Sequence, residues 1–104
     1  MPEKETGFGL TVQNVTPEIA QTLGLKRAEG VVITAVERGS PADEAGLRRG
    51  DVILEIDQET VRNLAEYRHA VAGLKKGESS LFLVQRGEMV SFFALRTAAQ
   101  RAPS

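Results

Sequence analysis

The chain has 104 residues, 41% of them hydrophobic and 26% charged, with a formal net charge of −1 at pH 7. That suits one globular domain with a modest core, and leaves no room for a second module. Lys and Arg are scattered among Asp and Glu, which removes the basic footprint of a nucleic-acid or membrane-surface binder.

No apolar run approaches the ~20 residues that a membrane-spanning helix needs. Cysteine is absent, so disulfides, thiolate metal sites and cysteine nucleophiles are excluded. Met1-Pro2-Glu3-Lys4 carries no signal-peptide pattern and reads as the start of an excised piece. Residues 1–6 and 97–104 are polar and are expected to be flexible flanks of one domain spanning 7–96.

Gly7-Phe8-Gly9-Leu10 leads into a short alternating strand, Thr11-Val12-Gln13. Thr16-Pro17 then starts a helix, with Thr as N-cap and Pro at the first helical position. Ile19, Ala20 and Leu23 form its buried stripe, and Gly24 is placed to end it. Val31 to Val36 is a β-branched run between Gly30 and Gly39 and predicts a central strand. Ser40-Pro41 repeats the helix-start grammar, and Gly46 closes that helix after little more than a turn.

Asp51 to Asp57 predicts another strand, with Val52, Leu54 and Ile56 alternating against Ile53 and Glu55. Asn63 begins the longest helix, Glu66 completes a capping box, and Leu64, Tyr67, Ala70, Val71 and Leu74 share one side. Leu81 to Gln85 and Val90 to Leu95 form a closing hairpin that turns near Arg86-Gly87-Glu88. The fold class is therefore α+β: a compact, partly open β-barrel or sandwich of five to six strands, capped by two to three helices.

The residues give little support to catalysis. Asp51, Glu55 and Asp57 fall on one side of a strand, where a solvated face is a better reading than a metal site. His69, the sole histidine, lies opposite the apolar stripe of its helix and is expected in solvent. Ser40, Ser79, Ser80, Ser91 and Ser104 have no Gly-x-Ser-x-Gly setting, so a Ser-His-Asp triad is not supported. No GK[ST] follows the glycines, which excludes a phosphate loop. The chain is not an enzyme by itself, and no metal or cofactor is implied.

The run Gly39-Ser40-Pro41-Ala42-Asp43-Glu44-Ala45-Gly46-Leu47-Arg48-Arg49-Gly50-Asp51-Val52-Ile53-Leu54 resembles the signature of bacterial PDZ domains. Ser40-Pro41 starts a one-turn helix, Ala42 and Ala45 pack it, Gly46 reverses the chain, and Leu47 plugs the core. The resemblance covers about Gly7 to Leu95 and is nearest to the PDZ modules of HtrA (Do/Deg) serine proteases. The Gly-Phe-Gly-Leu opening, the Thr-Pro-Glu-Ile-Ala-Gln-Thr-Leu-Gly-Leu helix and the Gly-Val-Val-Ile-Thr-Ala-Val-Glu strand all point there. One departure is Asp57-Gln58, where many relatives have Asn-Gly; Gln is poorer at positive φ, which predicts an altered turn.

The resemblance implies that Gly7, Phe8, Gly9 and Leu10 form a loop whose backbone N–H groups bind a peptide's terminal carboxylate. The ligand would pair with Leu10-Thr11-Val12 by strand addition. Its last side chain, expected to be apolar, would enter a pocket lined by Phe8, Leu10, Val12, Tyr67, Ala70 and Val71. Glu66 would begin the groove side of the helix and favour a donor or a basic ligand residue. The implied partners are C-terminal peptides and the protease domain of a parent chain, without nucleic acid or membrane insertion.

The resemblance also implies a periplasmic or cell-envelope setting and a serine endopeptidase parent. Two alternatives stay open. One is the PDZ module of a site-2 metalloprotease or a carboxyl-terminal processing protease. The other is a structural docking domain with an empty groove.

Overall fold

The computed structural model of the protein describes residues 4–74 and 79–96; the tail expected at 97–104 lies outside them. Two helix starts follow the same chemistry. Helix α1 (Pro17–Leu23) opens with the Thr16 hydroxyl accepting the Ile19 N–H at 3.1 Å. Helix α2 (Pro41–Ala45) opens with the Ser40 hydroxyl accepting the Asp43 N–H at 3.1 Å. Gly24 and Gly46 terminate them in the left-handed conformation, satisfying carbonyls that a helix end leaves unpaired. Helix α3 (Leu64–Ala72) starts at Asn63, whose side chain accepts the Glu66 N–H at 2.9 Å.

The strands are β1 (Lys4–Gly7), β2 (Leu10–Asn14), β3 (Val31–Val36), β4 (Val52–Ile56), β5 (Glu59–Thr60), β6 (Ser79–Arg86) and β7 (Met89–Arg96). They form one antiparallel sheet in the order β1-β2-β3-β4-β6-β7, with the two-residue β5 paired to β4. The sheet curls around a core built on Leu10, Val12, Ile33, Ile53, Tyr67 and Phe82, which α2 and α3 help to close. A smaller cluster of Val15, Ala20, Val32 and Val52 lies beneath α1 on the other face. Register explains the split: Val32 faces Val52 across the β3–β4 pair, whereas Val31 and Ile53, one residue along, point into the main core.

Three expectations change. The segment read as a flexible flank up to Thr6 contains β1, which pairs with β2 from Lys4↔Gln13 to Gly7↔Leu10. Strand pairing is made by the backbone, so the polar Lys-Glu-Thr sequence gave no apolar alternation to predict it. The Asp57-Gln58 turn keeps the two-residue hairpin geometry despite lacking Asn-Gly, with φ of 50° and 70°. Asp57 is held from β6: its N–H donates to the Leu81 carbonyl at 2.7 Å, and its carboxylate accepts the Leu81 N–H at 2.8 Å. Those bonds fix the turn from outside and offset the poor preference of Gln.

Asp51, expected on a solvated face, is 1% exposed. Its carboxylate accepts the Arg86 guanidinium at 2.7 and 2.9 Å and the Arg48 N–H at 2.9 Å. Arg86 also donates to the Gly46 carbonyl at 2.9 Å and lies 5.2 Å from the Phe93 ring centroid. The hydrogen bond to Asp51 holds the Arg86 guanidinium above its already high ordinary range. One arginine thereby joins the end of α2, the start of β4 and the β6–β7 hairpin.

Removing Arg86 leaves a buried carboxylate without its counter-charge, a loss of about 3 kcal/mol for Arg86→Met. A urea melt followed by circular dichroism checks it. Conversely, Gln58→Gly removes a strained left-handed side chain, a gain of about 1 kcal/mol. The same melt should show a higher midpoint with an unchanged slope.

Candidate peptide-binding groove

The loop between β1 and β2 is built by two backbone anchors. The Phe8 carbonyl accepts the Ala42 N–H at 3.3 Å, and the Gly9 carbonyl accepts the Glu37 N–H at 2.7 Å. No cis peptide bond interrupts the described chain, and in a trans peptide the following N–H points opposite to the carbonyl. Anchoring both carbonyls on the β3–α2 side therefore turns the Gly9 and Leu10 N–H groups to the other side. Adjacent backbone amides aimed one way can make an anion-binding concavity without any charged side chain; here Leu10 also closes the two-residue turn with Gly7, so its N–H faces β1.

Gly9 is required here twice over. Its φ is +81°, and a Cβ would collide with the Ser40 side chain that caps α2. Phe8 beside it has φ of 57°, so the two residues make a turn with positive φ at both central positions. A phenylalanine held there costs about 1–2 kcal/mol of backbone strain.

The candidate site lies where β2 approaches α3. Asn14, at the end of β2, accepts the Leu64 N–H at 2.7 Å and so ties the start of α3 to that end. Leu10, Val12, Tyr67 and Ala70 are all buried in the main core, with Phe8 and Val71 partly buried against it. Thr11, between Leu10 and Val12, is partly exposed. The structure thus brings these residues into one cluster, with Leu10, Val12, Tyr67 and Ala70 buried and Phe8 and Val71 partly buried at its margin.

Glu66 is engaged elsewhere. Its carboxylate accepts the Arg62 backbone N–H at 2.8 Å and the Arg62 guanidinium at 3.1 and 3.2 Å. The guanidinium hydrogen bond, followed by that from the backbone N–H, holds the carboxyl below its ordinary range. The expected capping box is consequently displaced by one residue, since Glu66 reaches back to residue 62 and not to Asn63. His69 is exposed, with Nε2 3.9 Å from the Glu59 carboxylate.

Two features of the site were not expected from sequence. The first is Asn14, whose partner lies fifty residues away; no local pattern marks it. The second is that β1 already lies along the β2 edge and against α3. Because β1 is antiparallel to β2, its C-terminal residue Gly7 sits beside Leu10, at the loop. The only sequence hint was the two-residue spacing Phe8-Gly9, a hairpin length.

The sheet order, the β1–β2 loop and the helices that close the core define the class of fold. Residues 32–86 match the PDZ domain family model, and the chain belongs to that family.

Within it, the chain is 39% identical over 91 residues to a probable periplasmic serine endoprotease, DegP-like, of Chlamydia trachomatis, covering 86% of this chain and 18% of that protein. A protein of the same description from Rhizobium meliloti is 35% identical over 73 residues, 70% of this chain and 14% of that one. The chain therefore spans less than a fifth of these curated relatives. Among solved structures, the HtrA-type protease AlgW with a tripeptide superposes at a TM-score of 0.75 with 32% identity, covering 91% of this chain and 32% of that one. The HtrA3 PDZ domain bound to a phage-derived ligand has the same fold, at a TM-score of 0.73, 20% identity and coverage of 92% and 88%.

Gly9→Ala combines an unfavourable φ with overpacking against Ser40, for an expected loss of about 3 kcal/mol. Gly39→Ala serves as the comparison: it also has positive φ, but a Cβ there meets nothing within 4 Å. Thermal melts of the two variants should show the larger fall for Gly9→Ala.

Proposed function

We propose that this domain captures the free C-terminus of a protein chain by adding it as a strand to β2. The carrying observation is that β1 runs antiparallel along β2, ends at the loop and touches α3. A ligand held by its carboxylate at the Gly9 and Leu10 amides would need that same polarity, since β2 leads away from the loop. Its backbone would pair with Leu10, Thr11 and Val12, supplying affinity largely independent of sequence. Its last side chain, apolar, would rest between Phe8 and Val71 above Leu10, Val12, Tyr67 and Ala70.

Ligand and β1 compete for one edge. Displacing β1 opens the Phe8–Gly9 turn and releases the strain stored at Phe8, which offsets part of the lost pairing. The similarity to probable periplasmic DegP-like serine endoproteases supports a parent chain of that kind. There it would recruit substrates or regulate a protease domain without performing chemistry itself. Titrating Glu66 away from Arg62 is not needed in this scheme, so a basic ligand residue brings no advantage through it.

The occupied edge also favours a second reading: a docking module whose groove stays closed by its own strand. One titration separates the two. Peptides ending in a free apolar carboxylate should shift the amide resonances of Phe8 to Val12 and of Tyr67 to Val71, and amidated peptides should not. A chain lacking residues 1–6 should bind the free peptides about tenfold more tightly, equivalent to about 1.4 kcal/mol of competing closure. Absence of binding by the shortened, folded chain would establish the closed docking module instead.

A further inference from the structure

The β6–β7 hairpin leaves one face bare. Cross-strand pairs Leu81↔Ala94, Leu83↔Phe92 and Gln85↔Val90 place these side chains on the side of the sheet opposite Phe82, Val84 and Leu95. It is the same face that carries Val52, opposite Gln85, beneath the cluster packed by α1. Helix α1 covers the β3 and β4 part, and the hairpin beyond it stays exposed: Leu81 is 48% exposed, Val90 51% and Phe92 59%.

β7 is also the last strand in the sheet order. Natural edge strands are blunted by charge, proline, bulges or shortness, or covered by a helix or loop; α2 packs against β7, but no backbone bond from another described element reaches Val90, Phe92, Ala94 or Arg96. β7 is eight residues long, its pairing with β6 runs without a register shift, and its only charge is the terminal Arg96.

The edge has a self-complementary pattern. Arg86 and Met89 close a two-residue turn, so Met89 and every second residue after it point their backbone groups at β6. Val90, Phe92, Ala94 and Arg96 therefore direct N–H and C=O outward. An antiparallel copy with its two-fold axis at Phe92 sets Phe92 against Phe92, Val90 against Ala94, and Glu88 against Arg96 at both ends. In that register the outward backbone groups meet one another, and the apolar side chains pair on one face. Glu88 and Arg96 form no ion pair with any described residue of their own chain.

We infer that β7 is a homotypic interface, at which two copies of this chain join edge to edge through residues 88–96 into one continuous sheet. The site is separate from the β2 groove, on the opposite border of the sheet. Two-fold self-pairing is the commonest form of protein assembly, and here the chemistry at each position matches its own symmetry mate. The interface is small and therefore weak and concentration-dependent.

Sedimentation equilibrium of the 104-residue chain over a concentration series tests the inference. A monomer–dimer equilibrium is expected. Glu88→Arg alone and Arg96→Glu alone should each weaken dimerisation at least tenfold, because each sets like charges together at both ends. The double variant should restore it, which a merely structural role of either residue would not produce. Phe92→Thr should abolish dimerisation while circular dichroism stays unchanged. A chain that remains monomeric up to about 1 mM, or a dimer insensitive to the charge exchange, would overturn the inference.

Discussion

The contact that organises this domain is the approach of the Gly9 backbone to Ser40. Ser40 is committed to capping α2, and Gly39-Ser40 is fixed by the reciprocal bond from the Gly39 N–H to the Asp43 carboxylate at 2.8 Å. The β1–β2 loop packs directly on that cap and is fastened by Ala42 and Glu37. Any side chain at residue 9 would push the loop away and lose both anchors. The orientation of the Gly9 and Leu10 amides, and the line of β2 beyond them, therefore depends on a hydrogen at one Cα.

This dependence also explains which parts were legible in the sequence. Thr16-Pro17…Gly24 and Ser40-Pro41…Gly46 announce their helices because capping is local chemistry, completed within a few residues. Alternation revealed β4, β6 and β7 for the same reason. Asp51 was misjudged because its counter-ion, Arg86, comes from another strand, and spacing along β4 says nothing about it. Asn14 and Leu64 meet only when β2 and α3 are already in place. The Asp57-Gln58 turn is held by Leu81, so local propensity gave the wrong expectation where tertiary bonds prevailed.

For the site, the residues were legible but their state was not. Leu10, Val12, Tyr67 and Ala70 share the main core. What the pattern could not convey is that four residues upstream supply a strand of their own. Backbone pairing carries almost no sequence signature, which is why β1 could not be read from the sequence. Under the proposed function, selectivity comes from what β1 lacks: a terminal carboxylate and an apolar last residue, where β1 offers an internal amide and Gly7. Hydrogen bonds to an ionised acceptor contribute about 1.5–3 kcal/mol, more than neutral ones, so a true C-terminus holds an advantage that an internal segment cannot match.

The sheet has two borders, and the chain treats them differently. At β2 the edge is covered by a short segment whose turn carries a residue at unfavourable φ, so the cover is removable. At β7 the edge carries no charge between Met89 and Leu95, with Glu88 and Arg96 at its ends. A strand meant to stay solitary would place a charge inside that span, where it would cost little in the fold and much in self-pairing. The charges instead sit where a two-fold axis at Phe92 makes them attract. Joining copies through β7 leaves the β2 borders at the far ends of the combined sheet. Under the proposed function, two such sites held in fixed relation would gain effective concentration for a target that presents two chain ends, without altering either site.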